Sequence, residues 1–418
     1  MSEGSTDAVR SSLLGLISLV ICSCVPATPE PAGAPAELTE EIERYEAAKR
    51  AVLANMVESG LPRGERERAD ARRLAEGMVT LSGRILAADP EVPEFVSMED
   101  GRTRSGLANP DNDHLLARVR GDRVYRIRGA RGSIADLTLQ TFRIFAGSSQ
   151  GVDDVALAQL DVAADGSFEV TVSPVRAPGN WLRSDAQTHW VLIRRTYDDW
   201  NARAGAFSIE RIDAKSRAAT PLSRAEKLRQ ASENLEVSSR FWPGLTRSVL
   251  EQSTPNRVMP PRRGVGNLAD QWTSMSLFSL SDDEALVVTV SSSSAAYQGL
   301  QVGSVFFDYF DPYRQVSLSR AQSHPSSDGL LRYVVSARDP GVPNWIDTTG
   351  HERGFLLLRW QGLRKLDPAD FPTGKVIPLE SLFAVLPPDV PRIDAAARRV
   401  HLDARAAQLD RRRKGARE

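Results

Sequence analysis

The side chains best suited to chemistry gather along one stretch: Asp339, Asp347, His351 and Arg359. Histidine titrates near neutrality and serves as a base or a ligand. An Asp–His pair beside an arginine would bind an anion or a carboxylate. The same residues would equally serve as a satisfied turn network, with Arg359 closing a strand. His114, His189, His324 and His401 are scattered, and no HExxH or paired-histidine spacing occurs. The sequence therefore predicts neither a metal site nor a cofactor.

Two tempting motifs fail their context. Gly147-Ser148-Ser149-Gln150-Gly151 matches GxSxG, which needs a strand before the serine and a helix after it. Here Val152-Asp153-Asp154 and a further strand follow, so it reads as a glycine-rich β turn. Gly264-Val265-Gly266-Asn267-Leu268-Ala269 mimics a dinucleotide fingerprint, but Pro260-Pro261-Arg262-Arg263 precedes it instead of a strand.

Cys22 and Cys24 are the only cysteines, so the body of the chain has no disulfide or thiolate chemistry. They end a short apolar run, Leu13 to Ile21, of signal-peptide length and too short to span a bilayer. Ile21-Cys22-Ser23-Cys24 resembles a lipobox, with Cys24 the better acylation site because Ser23 is small. Val25 to Ala36 is rich in Pro and Ala and reads as an extended tether. The expectation is a lipid-anchored protein of the cell envelope, at the outer membrane if the cell is Gram-negative. A formal net charge of -1 gives no field that would favour nucleic acid.

The strongest signal is a stretch written twice. Asp165-Gly166 opens the first copy, which continues through Phe168 to Val172, Pro178-Gly179-Asn180-Trp181 and Trp190 to Ile193, closed by Arg194. Asp328-Gly329 opens the second, which continues through Leu331 to Val335, Pro340-Gly341, Asn344-Trp345 and Phe355 to Leu358, closed by Arg359. The interval from Trp181 to Arg195 also equals that from Trp345 to Arg359. Upstream, Val124 to Arg128 is matched with Leu286 to Val290, and Ala135 to Gln140 with Ala296 to Gln301. A repeat this long suggests a doubled sandwich, not a solenoid. In each copy Asn-Trp follows a rigid bend. It can be a core corner, with asparagine bonding turn backbone and tryptophan buried, or an aromatic platform for a sugar or lipid ring.

The elements that must position these residues follow from periodicity. Leu38 to Glu58 is helical, with Leu38, Ile42, Tyr45, Val52 and Met56 near 3.6 spacing. A second helix carries Leu74, Met78, Leu81 and Ile85, and the two form a hairpin expected to dock on the first β domain. Period-two strands divided by Asp-Gly and Gly-rich turns run from about Met98 to Ile212. Ser223-Arg224-Ala225-Glu226 is a capping box opening a linker helix that Pro243-Gly244 interrupts. Strands return from Ser276 to about Leu379. A last helix, Arg392 to Arg412, presents Ile393, Ala397 and Val400, and Arg411 to Lys414 is read as a solvated basic tail.

Asp339 to His351 with Gly354 to Trp360, and more loosely Asn109 to Asn112, Tyr125 to Gly129 and Gly179 to Leu182, resemble the bacterial domain of unknown function twelve-fourteen. The resemblance spans roughly 98–410. It implies a jelly-roll-like β-sandwich, often beside a second β domain, and no established reaction. The first copy departs from the second: Arg183-Ser184-Asp185 stands where the second has Asp347-Thr348-Thr349.

The reading is a mainly β chain of two tandem jelly-roll-like antiparallel sandwiches, with an N-terminal helical hairpin, a helical linker and a C-terminal helix. The boundaries are 1–24 signal, 25–37 tether, 38–97 hairpin, 98–214 first sandwich, 215–267 linker, 268–380 second sandwich and 381–418 tail. The expected function is an envelope-tethered binding module for a glycan, lipid or envelope polymer. Asn180, Trp181, Asp339, Asn344, Trp345, Asp347, His351 and Arg359 are its ligand candidates. The alternatives are an enzyme acting on a small polar or carboxylate substrate, or a structural and assembly protein.

Overall fold

The computed structural model describes residues 35–99, 108–143, 151–214, 218, 221–264, 268 and 270–415. The signal, Cys22, Cys24 and nearly all of the tether lie outside these residues. So do Gly147 to Gln150 of the GxSxG match, and Val265 to Asn267 and Ala269 of the glycine motif.

Helices α1 (Pro35–Val57) and α2 (Gly64–Ala87) precede the first sandwich. Its strands are β1 (Val96–Ser97), β2 (Asn112–Arg118), β3 (Tyr125–Ala130), β4 (Asp136–Phe142), β5 (Gly151–Ala156), β6 (Ser167–Ser173), β7 (Trp181–Arg183), β8 (Trp190–Thr196) and β9 (Phe207–Arg211). Helix α3 (Arg224–Gln252) leads to the second sandwich. This contains β10 (Arg262–Arg263), β11 (Gln271–Ser279), β12 (Glu284–Ser291), β13 (Tyr297–Gly303), β14 (Ser317–Ser319), β15 (Leu330–Ser336), β16 (Trp345–Asp347), β17 (Arg353–Gln361) and β18 (Thr373–Pro378). The short α4 (Leu382–Val385) and the long α5 (Ala395–Gly415) close the chain.

The two sandwiches share one topology. In the first, a sheet ordered β1-β2-β8-β4-β5 packs on β7-β6-β3-β9; in the second, β10-β11-β17-β13-β14 packs on β16-β15-β12-β18. Each second-sandwich strand stands nine places after its counterpart, including the parallel pairs β6–β7 and β15–β16. The repeated Asp-Gly turns explain part of this. Gly166 and Gly329 hold φ of +84° and +77°, where a side chain is disfavoured. Asp165 and Asp328 accept the backbone N–H two residues on.

Strand pairing corrects two details of the repeat. Tyr125 lies opposite Val172, and Leu286 opposite the equivalent Val335. Tyr125, not Val124, is therefore the counterpart of Leu286. Tyr125 points inward because its hydroxyl is satisfied there, accepting from Arg120 N and donating to Pro90 O. Likewise Thr138 lies opposite Arg194 and Gly299 opposite Arg359, which makes Arg194 and not Arg195 the partner of Arg359. The register places Ile193 and Leu358 in their respective sandwich cores. The match of Ala135–Gln140 with Ala296–Gln301 agrees with this pairing.

The helices depart further from expectation. Helix α1 packs on α3 as well as α2, and their shared apolar core touches both sandwiches: Leu116, Phe142, Trp190 and Leu192 from one, Leu277, Val305, Phe355 and Leu357 from the other. Acidic residues of α2 complete the docking on the second sandwich. Glu67 takes two hydrogen bonds from Arg353 (2.7 and 2.6 Å), and Asp70 pairs with His351 at 2.9 Å. Helix α3 runs unbroken through Pro243, because Trp242 and Pro243 are buried against this core. Their burial offsets the roughly 3 kcal/mol that an internal proline costs.

The expected apolar face of α5 is absent: Val400 is exposed and Ile393 precedes the helix. The inner face carries Arg398, Arg405, Leu409 and Arg412. Arg398 lies over Trp345, Arg405 over Trp200, and Arg412 over Tyr197 and Trp200. Arg412 bonds Pro110 O and is docked, while Arg411 and Arg413 bond Asn201 and the Tyr313 hydroxyl at the exposed surface.

Candidate functional site

The Asn-Trp bends act alike in both copies. Asn180 accepts from Asp161 N (2.7 Å) and donates to Asp161 O (3.0 Å); Asn344 does the same to His324 N and O, both at 2.7 Å. The indoles of Trp181 and Trp345 donate to Ser173 O and Ser336 O. Trp345 is 3% exposed beneath Arg398, whereas Trp181 is half-buried with Arg176 5.0 Å over its ring.

Of the polar residues beside the second bend, Asp347 and His351 meet through Thr349 and Asp339 acts on Asp347, whereas Arg359 lies apart. Asp339 pairs with Arg398 of α5 at 2.8 Å. Asp347 is buried, accepts from Arg314 (2.6 Å) and Thr349 N, and has its pKa raised by burial. His351 stacks on Phe310 and bonds Asp70, Thr348 O and Thr349 through its ring nitrogens. Arg359 lies on the opposite sheet; burial lowers its pKa, and the nearby Tyr297 and Asp111 partly offset this. Each residue serves a different junction.

A different set of polar groups lies where the sandwiches meet. One side of the β1-β2-β8-β4-β5 sheet faces its own core. The other carries Leu116, Trp190, Leu192 and Phe142 under the helices, then turns polar: His114, Arg194, Thr196, Asp136, Thr138, Gln140 and Asp154. The equivalent face of the second sandwich repeats the plan. Leu277, Phe355 and Leu357 lie under the helices, and beyond them lie Thr273, Arg359, Gln361, Tyr297, Gln301 and Ser317.

Several hydrogen bonds join the two faces. Thr196 Oγ1 donates to Gln361 Oε1 at 2.7 Å, and Gln301 Nε2 to Ala108 O at 2.7 Å. Asp111, 0% exposed, accepts from Tyr297 Oη (2.7 Å), Trp200 Nε1 (2.9 Å) and Ser317 Oγ (3.1 Å). Arg405 of α5 donates to the same Ser317 hydroxyl, so a buried cation faces the carboxylate through one oxygen. A Cβ on Gly299 would meet the Tyr297 hydroxyl at 2.3 Å, which leaves glycine the residue that fits there.

The polar part of the first face has a second chain of contacts. Glu99 accepts from His114 N (2.8 Å) and bonds its Nδ1 (2.6 Å). Arg194 Nε lies 3.1 Å from His114 Nε2. A guanidinium can only donate, so Nε2 accepts and the ring proton sits on Nδ1, toward Glu99. Arg194 is pulled down to about 10, first by burial and then by the like charge of Arg359. Asp136 is pushed up to about 6 by burial, with the negative Asp270 adding to it. Asp154 is raised as well, by burial and by Asp153 and Asp270.

Among the described residues neither Asp136 nor Asp154 comes within ion-pair distance of Arg194. Gln140, 1% exposed, and its repeat counterpart Gln301, 2% exposed, each bury a side-chain oxygen with no hydrogen-bond partner. Among the described residues no group of three His, Cys, Asp or Glu side chains is placed to hold a metal ion.

Glu99, His114, Asp136, Gln140, Asp154 and Arg194 were not among the ligand candidates, although Arg194 closes the first copy as candidate Arg359 closes the second. The available signal was the aligned Ala135–Gln140 and Ala296–Gln301 segments, which place a glutamine at one strand position in both copies.

The fold is thus a pair of β-sandwiches sharing one helical bundle, with a polar face enclosed between them. Residues 107–199, the core of the first sandwich, match the family described as protein of unknown function (DUF1214). That match falls on the looser of the two stretches that carry the resemblance. An uncharacterised protein from Burkholderia cenocepacia has a similar crystal structure, with a TM-score of 0.71 at 26% identity over 82% of this chain and 97% of that one. A protein from Vibrio parahaemolyticus aligns over 80% of this chain and all of that one, at 10% identity and a TM-score of 0.43. No curated protein sequence matches the chain.

Proposed function

We propose that the protein is a binding module that holds a small polar ligand on the face between its two sandwiches, and that lipid on Cys24 tethers it to the cell envelope. The observation that supports the binding role most directly is the pair Gln140 and Gln301. Each buries an acceptor oxygen that leaves a hydrogen bond unmade, at a cost of roughly 1–3 kcal/mol that a bound donor would recover. The under-compensated charge of Arg194 on the same face points the same way.

The test is native mass spectrometry of the full chain, with thermal shift on a panel of small polar metabolites. A ligand whose binding drops at least tenfold in Gln140→Leu supports the reading. Binding unchanged by Gln140→Leu and by Arg194→Lys rejects this face as the site. For the tether, a Cys24→Ser variant that still takes up labelled fatty acid would reject lipidation at that residue.

A second reading, an enzyme acting on a small polar or carboxylate substrate, draws on one observation: the Glu99–His114 pair. A carboxylate that fixes an imidazole tautomer is a common way to orient a base. Turnover of the bound ligand lost in His114→Gln, with binding retained, would favour that reading.

A further inference from the structure

From the placement of charge on this face, we infer that the ligand is a small zwitterion, a free α-amino acid or a dipeptide, with its carboxylate on Arg194 and its ammonium at Asp136 and Asp154. The inference rests on the binding role proposed above and gives that ligand its chemical class.

Register supplies the geometry. Arg194 on β8 lies opposite Thr138 on β4, and Asp136 and Gln140 flank Thr138 on the same side of the strand. Asp154 on β5 lies opposite Gln140. Diagonal neighbours in a sheet have Cβ atoms about 7–8 Å apart or less, within joint reach of an arginine and a carboxylate. Among the described residues this part of the face therefore carries the Arg194 cation, the Asp136 and Asp154 carboxylates and, between them, a buried amide oxygen without a partner, with Arg359 of the facing sheet and Glu99 beyond His114 also acting on Arg194.

Opposite charges this close would be expected to pair directly, but among the described residues they do not. Arg194 Nε is turned to His114 instead. That bond uses only one of its five N–H donors. A carboxylate ligand can take the others as a bidentate pair. The ammonium of the same molecule then finds two carboxylates and the Gln140 oxygen, three acceptors for its three donors. Arg194 gains the anion that burial and Arg359 make it lack. Asp136 and Asp154 gain the cation that burial and Asp270 make them lack. A simple anion would leave the carboxylates uncompensated, and a simple amine would leave Arg194 so.

The experiment is calorimetric titration of the full chain with the free L-α-amino acids and Gly-Gly. Each is compared with its des-amino acid and its carboxamide. The expected result is binding of at least one zwitterion, with each truncated analogue weaker by tenfold or more. Arg194→Lys should weaken the zwitterion at least tenfold and leave the carboxamide unchanged. Asp136→Asn should weaken the zwitterion and leave the des-amino acid unchanged.

A des-amino acid that binds as tightly as its parent overturns the zwitterion while leaving the polar-ligand role intact. So does a non-zwitterionic molecule released from the purified protein on denaturation. Absence of binding by the whole panel, together with no released molecule, overturns both. Circular dichroism of each variant separates lost binding from lost folding.

Discussion

Asp136→Asn is expected to make the protein more stable at neutral pH and no more stable in acid. Asp136 is buried on the inter-sandwich face, and its pKa rises from 3.8 to about 6. The groups acting on it are Asp270, which raises it further, and Arg194, Arg131 and the Leu137 N–H, which lower it. A carboxyl group with a raised folded pKa favours the folded state when protonated. Its contribution is complete below the unfolded pKa near 4 and is lost as pH rises through about 6. The rise corresponds to about 3 kcal/mol of native-state penalty at pH 7.5. Asparagine keeps the shape and removes the charge. Urea denaturation followed by tryptophan fluorescence at pH 7.5 should therefore give a gain of about 2–3 kcal/mol, shrinking to near zero at pH 4. A loss of stability at pH 7.5, or an equal gain at both values, would refute the reasoning. A group that costs stability and is retained on a polar face fits a site kept for binding, where activity and stability oppose each other.

Three further outcomes follow from named contacts. Asp111→Ala strands the Tyr297 and Trp200 donors and leaves Arg405 without its nearby carboxylate, so urea denaturation should show a loss of about 4 kcal/mol, with Asp111→Asn intermediate. Asn344→Ala should cost about 2 kcal/mol, because Asn344 is itself buried and its bonds to His324 are partly so; Asn180→Ala should cost less than about 1 kcal/mol, because water can replace its exposed clamp on Asp161. Gly299→Ala places a Cβ against the Tyr297 hydroxyl, and amide hydrogen exchange should show β13 and the Asn109–Asn112 loop losing protection together.

The doubled architecture was legible in the sequence because its signals are local. Asp-Gly turns, Pro-Gly bends and apolar runs recur in one order, and each acts through its immediate neighbours. The Ser223–Glu226 cap of α3 was visible for the same reason, and both of its reciprocal hydrogen bonds are formed. The inter-sandwich face was not legible. β2 and β4 are buried on both sides, so the alternation that normally separates inner from outer residues carries no information there. His114, Asp136 and Arg194 come from strands far apart in the chain, and nothing in their spacing announces that they share a face. The inner side of α5 was missed because arginine usually counts as a solvent residue. Arg398, Arg405 and Arg412 recur every seventh position, and their stems and planar heads pack on aromatic rings. The small residues and Val400, which suggested an inner face, lie toward water or partly so.

The final helix has a consequence for biosynthesis. Arg412 reaches Pro110, some three hundred positions earlier, and Arg405 supplies positive charge beside Asp111. During synthesis, the first sandwich emerges long before this cation exists. A chain that ends early leaves a desolvated carboxylate without its counter-charge and two tryptophan rings uncovered. Such a fragment cannot complete its polar interior and stays open to proteases. The polar interior beside Asp111 is therefore completed only once α5 has been made.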